Sequence, residues 1–189
     1  MKTYKIKITG VGDQLQNRLS RDLIYEIKEI ARSKMDEWEE ANYLKKLNRR
    51  IINGKSEVIQ PEFAVHAMII TACMKLKKSP PKEIGRTWTS YVKSSVIISE
   101  PAVISYDEII PFGTMVNGNP SAKGKSSKVY KVRPLIRGWS TEITLIDLND
   151  MMNKQVVTDI IDTAGKFVGL SDWRPQYGRF KIDRVVEVD

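Results

Sequence analysis

The chain has 189 residues, enough for one good hydrophobic core, and we expect no second full domain. Its 31 lysines and arginines against 23 aspartates and glutamates give a formal net charge of +8, which favours a polyanionic partner such as nucleic acid. Cys73 is the only cysteine, which excludes an intramolecular disulfide and a multi-cysteine metal site.

The N-terminal segment predicts a strand followed by a helix. Residues 3–9 alternate between polar and apolar side chains, as in a strand with one face on a core, and Lys5 and Lys7 fall on its open face. Gly10 allows a turn after the strand. Apolar residues then recur every three or four positions over residues 15–30, which indicates an amphipathic helix.

Two charged segments follow. Residues 36–42, DEWEEAN, are acidic in an otherwise basic chain, and we interpret them as a sheet edge or a subunit contact. Residues 45–55 are strongly basic and end in Asn53 and Gly54, the strongest short signal for a β-hairpin. This basic segment is either a finger that touches a backbone phosphate or a solvated turn.

Residues 63–76 predict a helix that is apolar over a broad arc and therefore belongs in the core. His66 and Cys73, each the only residue of its type, lie on this helix. We interpret His66 as a packed or hydrogen-bonded side chain and Cys73 as a small buried residue. Neither is therefore expected to act in catalysis.

Residues 113–128, GTMVNGNPSAKGKSSK, are the one low-complexity stretch. Glycine, serine, asparagine and proline predict flexibility there, and three lysines supply positive charge. The stretch is either a mobile basic arm that becomes ordered on a nucleic acid or a neighbouring subunit, or a disordered linker. Two strands follow at residues 129–136 and 139–148, and the turn at Arg137 and Gly138 predicts an antiparallel pair.

The last quarter of the chain combines a helix, a loop and a strand. Apolar residues between positions 157 and 168 share one helix face, and Asn153 is a suitable N-cap. A loop bounded by Gly169 and Gly178 carries two aromatic residues, and a strand with alternating side chains follows over residues 180–188. Such a loop beside a basic strand is suited to holding an extended anion, and a long turn pinned by a buried tryptophan has the same pattern.

The order strand, helix, two strands, helix, strand is that of a ferredoxin-like (RRM-like) βαββαβ domain of the α+β class. We predict a single domain over residues 1–189, with core elements near 1–35 and 128–189 and a large insertion near 36–127. The insertion includes the flexible basic arm at 113–128. Such a domain presents an open sheet with helices behind it, and the open face commonly binds single strands.

Five segments, at both ends and in the middle of the chain, carry a family resemblance: TYKIKITG at 3–10, DEWEEANY at 36–43, PEFAVHAM at 61–68, GWSTEITL at 138–145 and AGKFVGLSDWRPQYGRF at 164–180. Together they resemble a family of phage-encoded proteins that look distantly like the repeat-associated (RAMP) RNA-binding backbone subunits of CRISPR effector complexes. The last segment is the most specific, because the CRISPR-type fold carries its glycine-rich loop between the second helix and the fourth strand.

The resemblance implies a ferredoxin-like fold with insertions, sequence-independent binding of single-stranded nucleic acid, and head-to-tail assembly along it. Carried over by position, the loop would be formed by Gly169, Trp173, Arg174, Gly178 and Arg179. This loop has fewer glycines than the CRISPR pattern. Because side chains then replace hydrogens, its backbone is less able to approach a phosphate closely. Processing enzymes of that superfamily often use a loop histidine, whereas the sole histidine here is predicted on a core helix.

We therefore predict a non-enzymatic protein that binds single-stranded nucleic acid independently of sequence, and that coats or anneals single-stranded DNA in phage replication or recombination. The expected partners are single-stranded DNA or RNA and further copies of the chain along the strand, with no catalytic residue, no metal and no cofactor. The basic residues expected to contact nucleic acid are Lys5, Lys7, Lys123, Lys125, Lys128, Arg137, Arg174, Arg179 and Lys181. The aromatic residues expected to contact it are Trp139, Trp173 and Tyr177.

Two alternatives remain open from the sequence. One is a protein-interaction subunit or counter-defence factor of a phage that resembles a CRISPR backbone subunit. The other is a nuclease, which would need ligands from distant positions because the sequence has no HxH, no paired DxD and no Ser/His/Asp arrangement. No apolar run is long enough to cross a membrane and the first ten residues are too polar for a signal peptide, so we expect a cytoplasmic protein.

Overall fold

The computed structural model describes residues 1–85, 87–117 and 128–188, and these residues form ten β-strands and five α-helices. The strands are β1 (Lys2–Gly10), β2 (Gln14–Leu15), β3 (Arg49–Ile52), β4 (Lys55–Gln60), β5 (Val96–Ile98), β6 (Ala102–Ser105), β7 (Glu108–Asn117), β8 (Lys128–Arg137), β9 (Ser140–Asp147) and β10 (Phe180–Val188). The helices are α1 (Arg21–Glu29), α2 (Met35–Ala41), α3 (Glu62–Lys75), α4 (Trp88–Ser95) and α5 (Lys154–Phe167). None of the helices in these ranges has the length and apolar character needed to span a membrane.

The strands form two antiparallel sheets. The larger sheet has the order β10-β1-β9-β6-β4-β3, and β5 also pairs with β9, beyond the point where β6 ends. The smaller sheet has the order β2-β8-β7. Helices α3 and α5 pack on each other and, with the buried side of the larger sheet, enclose the main hydrophobic core.

The centre of the larger sheet has a ferredoxin-like α+β fold, as the sequence predicts. Strand β1 leads through α3 to a second strand that is broken into β5 and β6, and β9 follows as the third strand. Helix α5 then leads to β10, the fourth strand. The spatial order is fourth, first, third, second, and every neighbouring pair is antiparallel, which is the arrangement of two interleaved βαβ halves.

The first strand and the last helix form for reasons that are visible in the sequence. Tyr4, Ile6 and Ile8 of β1 are fully buried against the helices, and the residues between them lie on the opposite face. Helix α5 begins after Asn153, whose side chain accepts a hydrogen bond from the backbone N–H of Val156 at 3.0 Å. A cap of this kind stabilises a helix by about 1 kcal/mol.

The first helix of the ferredoxin-like core is α3, and the prediction that residues 15–30 supply it is wrong. That segment begins in β2 and continues as α1, which buries only Leu23. A helix that lies between a sheet and another helix must be apolar over most of its surface. Helix α3 meets this requirement with five buried residues, whereas α1 has a single narrow apolar stripe.

The second core strand also comes from a different segment than the sequence predicts. Residues 129–136 belong to β8, which pairs with β7 from Glu108 opposite Arg137 to Asn117 opposite Lys128. This hairpin places residues 113–117 of the predicted flexible arm in a strand, and residues 118–127 lie outside the described residues. The core is therefore interrupted twice, between β1 and α3 and between β6 and β9.

The hairpin predicted at Asn53 and Gly54 is confirmed. Strands β3 and β4 pair across these two residues, whose φ angles of 50° and 78° are both positive, as a tight hairpin turn requires. The basic segment that contains the hairpin divides into two environments. Arg49 and Arg50 are exposed on β3, whereas Lys46, just before the strand, is buried.

The acidic segment 36–42 forms α2 and not a sheet edge, and its central residue Glu39 makes an internal contact, whereas its subunit contact stays a prediction. Glu39 of α2 is fully buried against β8. Its carboxylate pairs with Lys46 and, at 2.7 Å, with Lys131, and it accepts a hydrogen bond from the backbone N–H of Val132 at 2.8 Å. Burial alone raises the pKa of Glu39, but these donors outweigh burial and hold it below its ordinary value. Helices α1 and α2 and the sheet β2-β8-β7 are called the satellite below.

Candidate nucleic-acid interface

One face of the larger sheet is open, because the helices lie on the other. Along β1 this face carries Lys5 and Lys7, and both side chains are exposed, as the sequence predicts. On the neighbouring β10, Arg184 lies opposite Lys7, and Lys181 lies opposite Thr9. Two adjacent strands therefore present four cations on one surface. This surface is called the basic face and consists of Lys5, Lys7, Lys181 and Arg184.

A β-bulge places Arg184 on the basic face. The pairing of β1 with β10 shifts by one residue, so that Asp183 lies opposite no residue of β1. Beyond the bulge the alternation reverses, because Val185 is buried whereas Val186 is 37% exposed. The regular alternation predicted over residues 180–188, which would put Val186 on the same side as Phe180, is wrong for this reason, and Arg184 is not among the residues predicted to contact nucleic acid.

Two acids reduce the net charge of this surface. Glu142 of β9 lies 3.6 Å from the guanidinium of Arg184, across β1. Asp183 accepts a hydrogen bond from Oγ1 of Thr9 at 2.6 Å. The three lysines of the basic face make no ion pair with any residue in the described ranges, so they carry its free positive charge.

The glycine-bounded loop of residues 169–178 is held by backbone hydrogen bonds. The N–H of Leu170 donates to the carbonyl of Gly178, and the N–H of Gly178 donates to the carbonyl of Asp13, both at 2.8 Å. Gly178 has a φ of +75°, and a Cβ there would lie 1.8 Å from the carbonyl oxygen of Leu170, so this position requires glycine. The loop is therefore tied to its own ends and to the start of the satellite.

Both aromatic residues of the loop pack on the β7–β8 hairpin. The ring centroid of Phe112 lies 6.2 Å from that of Trp173 and 5.6 Å from that of Tyr177. The guanidinium of Arg133 lies 4.4 Å from the centroid of Trp173 and pairs with Asp172 at 2.8 Å. One side of the Trp173 ring thus meets a cation of the protein itself. The stacking role of Trp173 and Tyr177 stays a prediction, and the structure gives both a packing role.

Trp139 is buried, and the prediction that it stacks on a base is wrong. Its side chain is 1% exposed, and the indole Nε1 donates to the carbonyl of Gly12 at 2.8 Å. The ring packs on Phe180 with centroids 6.3 Å apart, and a Cβ on Gly10 would lie 2.3 Å from the indole nitrogen. A tryptophan beside a turn has no periodic signal that distinguishes a buried ring from an exposed one.

The predicted cations of the β7–β8 hairpin do not join the basic face. Arg137 shares its charge with two acids, Glu108 at 3.0 Å and Asp13 at 3.6 Å, and the hydrogen bond with Glu108 raises the pKa of Arg137. Lys128 is exposed at the opposite end of the hairpin. Two further predicted lysines lie outside the described residues: Lys123 and Lys125.

Two predicted arginines lie at the loop end of the basic face. Arg179 is exposed two positions before Lys181, and its Nε donates to the carbonyl of Pro175 at 2.9 Å. Arg174 is exposed within the loop itself. Because alternate residues of a strand share a side, Arg179 extends the row of cations that Lys181 ends.

His66 and Cys73 have the structural roles that the sequence predicts. The ring Nε2 of His66 lies 3.2 Å from the carbonyl oxygen of Val92. Cys73 is 6% exposed, and burial raises the pKa of its thiol to about 12, so the thiolate is scarce at neutral pH. Across the described ranges, no three His, Cys, Asp or Glu side chains are grouped closely enough to hold a metal ion.

Comparison with known proteins concerns the fold. No protein-family model matches the sequence, and no curated protein matches it. The structure is similar to a chain in the cryo-EM structure of the Type III-B Cmr-beta bound to cognate target RNA, with a TM-score of 0.50 and 10% sequence identity. The similarity covers 100% of this chain and 61% of that chain, so this chain spans less than two thirds of its length. At this level of identity the likeness shows the fold alone.

Proposed function

We propose that the protein binds single-stranded nucleic acid, independently of sequence, through contacts between the basic face and backbone phosphates. The observation that carries this proposal is the row of exposed lysines at positions 5, 7 and 181, which lies on the uncovered side of the sheet and has no ion-pair partner in the described ranges. Lysines in such a row neutralise phosphates and release counterions. They hold the strand without reading its bases.

The geometry of the basic face suits an extended strand. Lys5 and Lys7 are two residues apart on β1, so their Cα atoms are separated by about 7 Å. Lys181 lies opposite Thr9, and the three lysines therefore follow one direction along the β1–β10 pair. A nucleic-acid strand laid along this pair would meet a cation at successive steps while its bases remain free to turn away from the sheet.

The fold comparison favours RNA as the first polymer to test, because the similar structure is described as bound to cognate target RNA. In the full proposal, copies of the chain lie side by side along the strand and coat it without cleaving it. Coating or annealing of single-stranded DNA in phage replication or recombination is the version of this proposal in which DNA is the polymer.

The test is fluorescence anisotropy of the purified protein with labelled single-stranded RNA, single-stranded DNA and duplex DNA across a salt series. The test variant replaces Lys5, Lys7 and Lys181 with alanine. The matched control replaces three exposed lysines on the helix side, which removes the same charge from another surface: Lys75, Lys93 and Lys154. The test variant should bind single strands more weakly, with a slope of log K against log salt that is shallower by roughly 2, and the control should change far less.

Two outcomes would contradict the proposal. Absence of single-strand binding at low salt would remove the function, and equal effects of the two triple variants would remove the basic face from it. Incubation of the same oligonucleotides with Mg²⁺ or Mn²⁺ tests the absence of cleavage, because shortened products that depend on the protein would indicate a nuclease.

A protein-interaction subunit is the second candidate, and a different surface favours it. Ile51 is 68% exposed on β3, which is an edge strand of the larger sheet in the described ranges. An exposed apolar side chain beside unpaired backbone groups suits pairing with a strand of another chain. Self-association without nucleic acid, measured by light scattering and lost in Ile51→Lys, would support this candidate.

A further inference from the structure

A polar cavity of about 400 Å³ lies between the start of the satellite, the end of β4, the first turn of α3 and the loop of residues 169–178. Sites for small ligands and cofactors have volumes of roughly 300–1,000 Å³, so the cavity is large enough to be one. Its side chains include four amides, one arginine and one aspartate, and it contains no residue of the basic face. The residues at this cavity include Asn17, Arg18, Asn48, Gln60 and Phe63.

Phe63 is an aromatic ring left in solvent at this cavity. It lies in the first turn of α3 and is 76% exposed, whereas Val65, Met68 and Ile69 of the same helix are buried in the core. Single-stranded nucleic acids are bound by stacking their bases on aromatic side chains in this kind of position. The exposed ring of Phe63 is therefore suited to stacking against a base.

Gln60 supplies an unused hydrogen-bond donor to the same cavity. Its side chain is 2% exposed, and its Oε1 accepts a hydrogen bond from Oγ of Ser171 at 2.7 Å. Its amide NH₂ makes no hydrogen bond to any residue that the structure describes. Gln16, also buried at the cavity, differs because its NH₂ donates to the carbonyl of Ile59 at 3.1 Å. A donor without a protein partner, on a side chain that is otherwise almost entirely buried, is expected to meet a ligand or water.

The remaining polar groups complete a site for a flat heterocycle next to a phosphate. The side chain of Asn17 makes no hydrogen bond within the described ranges and can donate or accept. Asn48 donates one of its amide hydrogens to Gln16 at 3.3 Å and keeps its oxygen as an acceptor. Arg18 is exposed at the same opening and makes no ion pair in the described parts of the chain.

We infer that this cavity binds one nucleobase of the strand that the basic face holds, an inference that rests on the proposed function. The base stacks on Phe63, Gln60 donates to an acceptor on the base edge, and Arg18 contacts the adjoining phosphate. Every base has an acceptor on its edge, so the pocket fits binding without strict sequence preference. Ser171 lines the cavity, and the loop that carries it continues along the chain into Arg179 and into β10, the strand of Lys181.

The experiment compares two labelled RNA oligonucleotides of equal length by anisotropy, one of uridines and one with the same backbone and abasic sites. The test variant is Phe63→Ala, and Phe167→Ala is the matched control because that ring is 59% exposed on α5. Phe63→Ala should weaken binding of the uridine strand roughly 5- to 150-fold, the value of one stacked base, and leave the abasic strand unchanged. Phe167→Ala should change neither.

Phe63→Trp provides a second readout of the same pocket. This variant should keep the preference for the uridine strand, and emission from the added tryptophan should be quenched by uridines and not by the abasic strand. Comparison of the two strands distinguishes a failure of base binding in the cavity from a failure of the proposed function. Wild-type protein that binds neither strand contradicts the proposed function and, with it, the pocket.

Three further results would contradict base binding in this cavity and leave the proposed function intact. The first is wild-type binding of both strands that Phe63→Ala leaves unchanged, and the second is equal weakening of both strands by Phe63→Ala. The third combines two measurements: free uridine monophosphate shifts the NMR signals of the pocket residues, and Phe63→Ala has no effect on binding of either strand. The cavity would then be a site for a free nucleotide.

Discussion

The basic face and the satellite both contain clusters of cations, and the two regions place them in opposite environments. On the basic face the lysines are exposed and make no ion pair in the described ranges. Lys46, between α2 and β3, is 1% exposed and pairs with Glu39 of the satellite, and Arg133 of the satellite is 7% exposed and pairs with Asp172. The formal charge of +8 counts both kinds alike. Only cations that the fold leaves without acidic neighbours are available to a polyanion.

The largest expected effect is a loss of stability when the buried charge pair of the satellite is broken. Glu39→Gln leaves Lys46 buried without its counter-charge, and the free energy of unfolding should fall by about 3–5 kcal/mol. Urea unfolding measures this change. Glu37→Gln is the control, because Glu37 is exposed on the same helix and its replacement should cost less than about 0.5 kcal/mol. Equal effects of the two variants would contradict a stabilising role for the buried pair.

The same pair predicts a dependence on pH. The pKa of Glu39 is lower in the folded protein than in the unfolded chain, so its contribution to stability is full above the unfolded pKa of about 4.3 and is lost as the pH falls through the folded pKa. The difference in free energy of unfolding between wild type and Glu39→Gln should be constant between pH 7 and pH 5 and shrink in more acidic solution. A difference that grows on acidification would contradict this assignment.

A smaller effect is expected at the joint between the two regions. Gly178→Ala places a Cβ against the carbonyl of Leu170 at a positive φ, and it should reduce the free energy of unfolding by roughly 1–3 kcal/mol. Gly12→Ala is the control, since nothing lies within 4 Å of a Cβ at that position. Thermal unfolding compares them, and an unchanged Gly178→Ala would show that the loop can relax around the added methyl.

The smallest expected effect is a change in nucleic-acid affinity when an acid beside the basic face is removed. Glu142→Gln removes the acid that pairs with Arg184, so affinity for single strands should rise by less than about fivefold. The slope of log K against log salt should steepen by roughly 0.7. Glu29→Gln, exposed on α1, makes the same change in net charge. If both variants raise affinity equally, the effect comes from net charge and not from the freed arginine.

The parts of the structure that could be predicted have local signals. The alternation around Tyr4 and Ile6 specifies β1, and the N-cap Asn153 with its apolar stripe specifies α5. Gly169 and Gly178 bound the loop because both adopt a positive φ. In each case the residues that decide the structure lie within a few positions of one another.

The parts that could not be predicted depend on distant residues. Glu39 is buried because Lys131, 92 positions later, and Lys46 neutralise it, and an acidic segment by itself indicates a surface. Arg184 reaches the basic face through a bulge that exists only in the pairing with β1. Phe63 is exposed because no other element in the described ranges covers it at the first turn of α3. The apolar sequence of α3 gives no local signal of this exposure.

The bulge at Asp183 has a further consequence for the sheet edge. Strand β10 is the outermost strand of the larger sheet in the described ranges, and its outer edge carries the backbone groups that β1 does not use. An added strand would have to match the irregular spacing at the bulge and approach the charges of Asp183 and Arg184. The β10 edge is therefore a poor template for aggregation, and the larger sheet is protected from extension on this side by the geometry of its own strand.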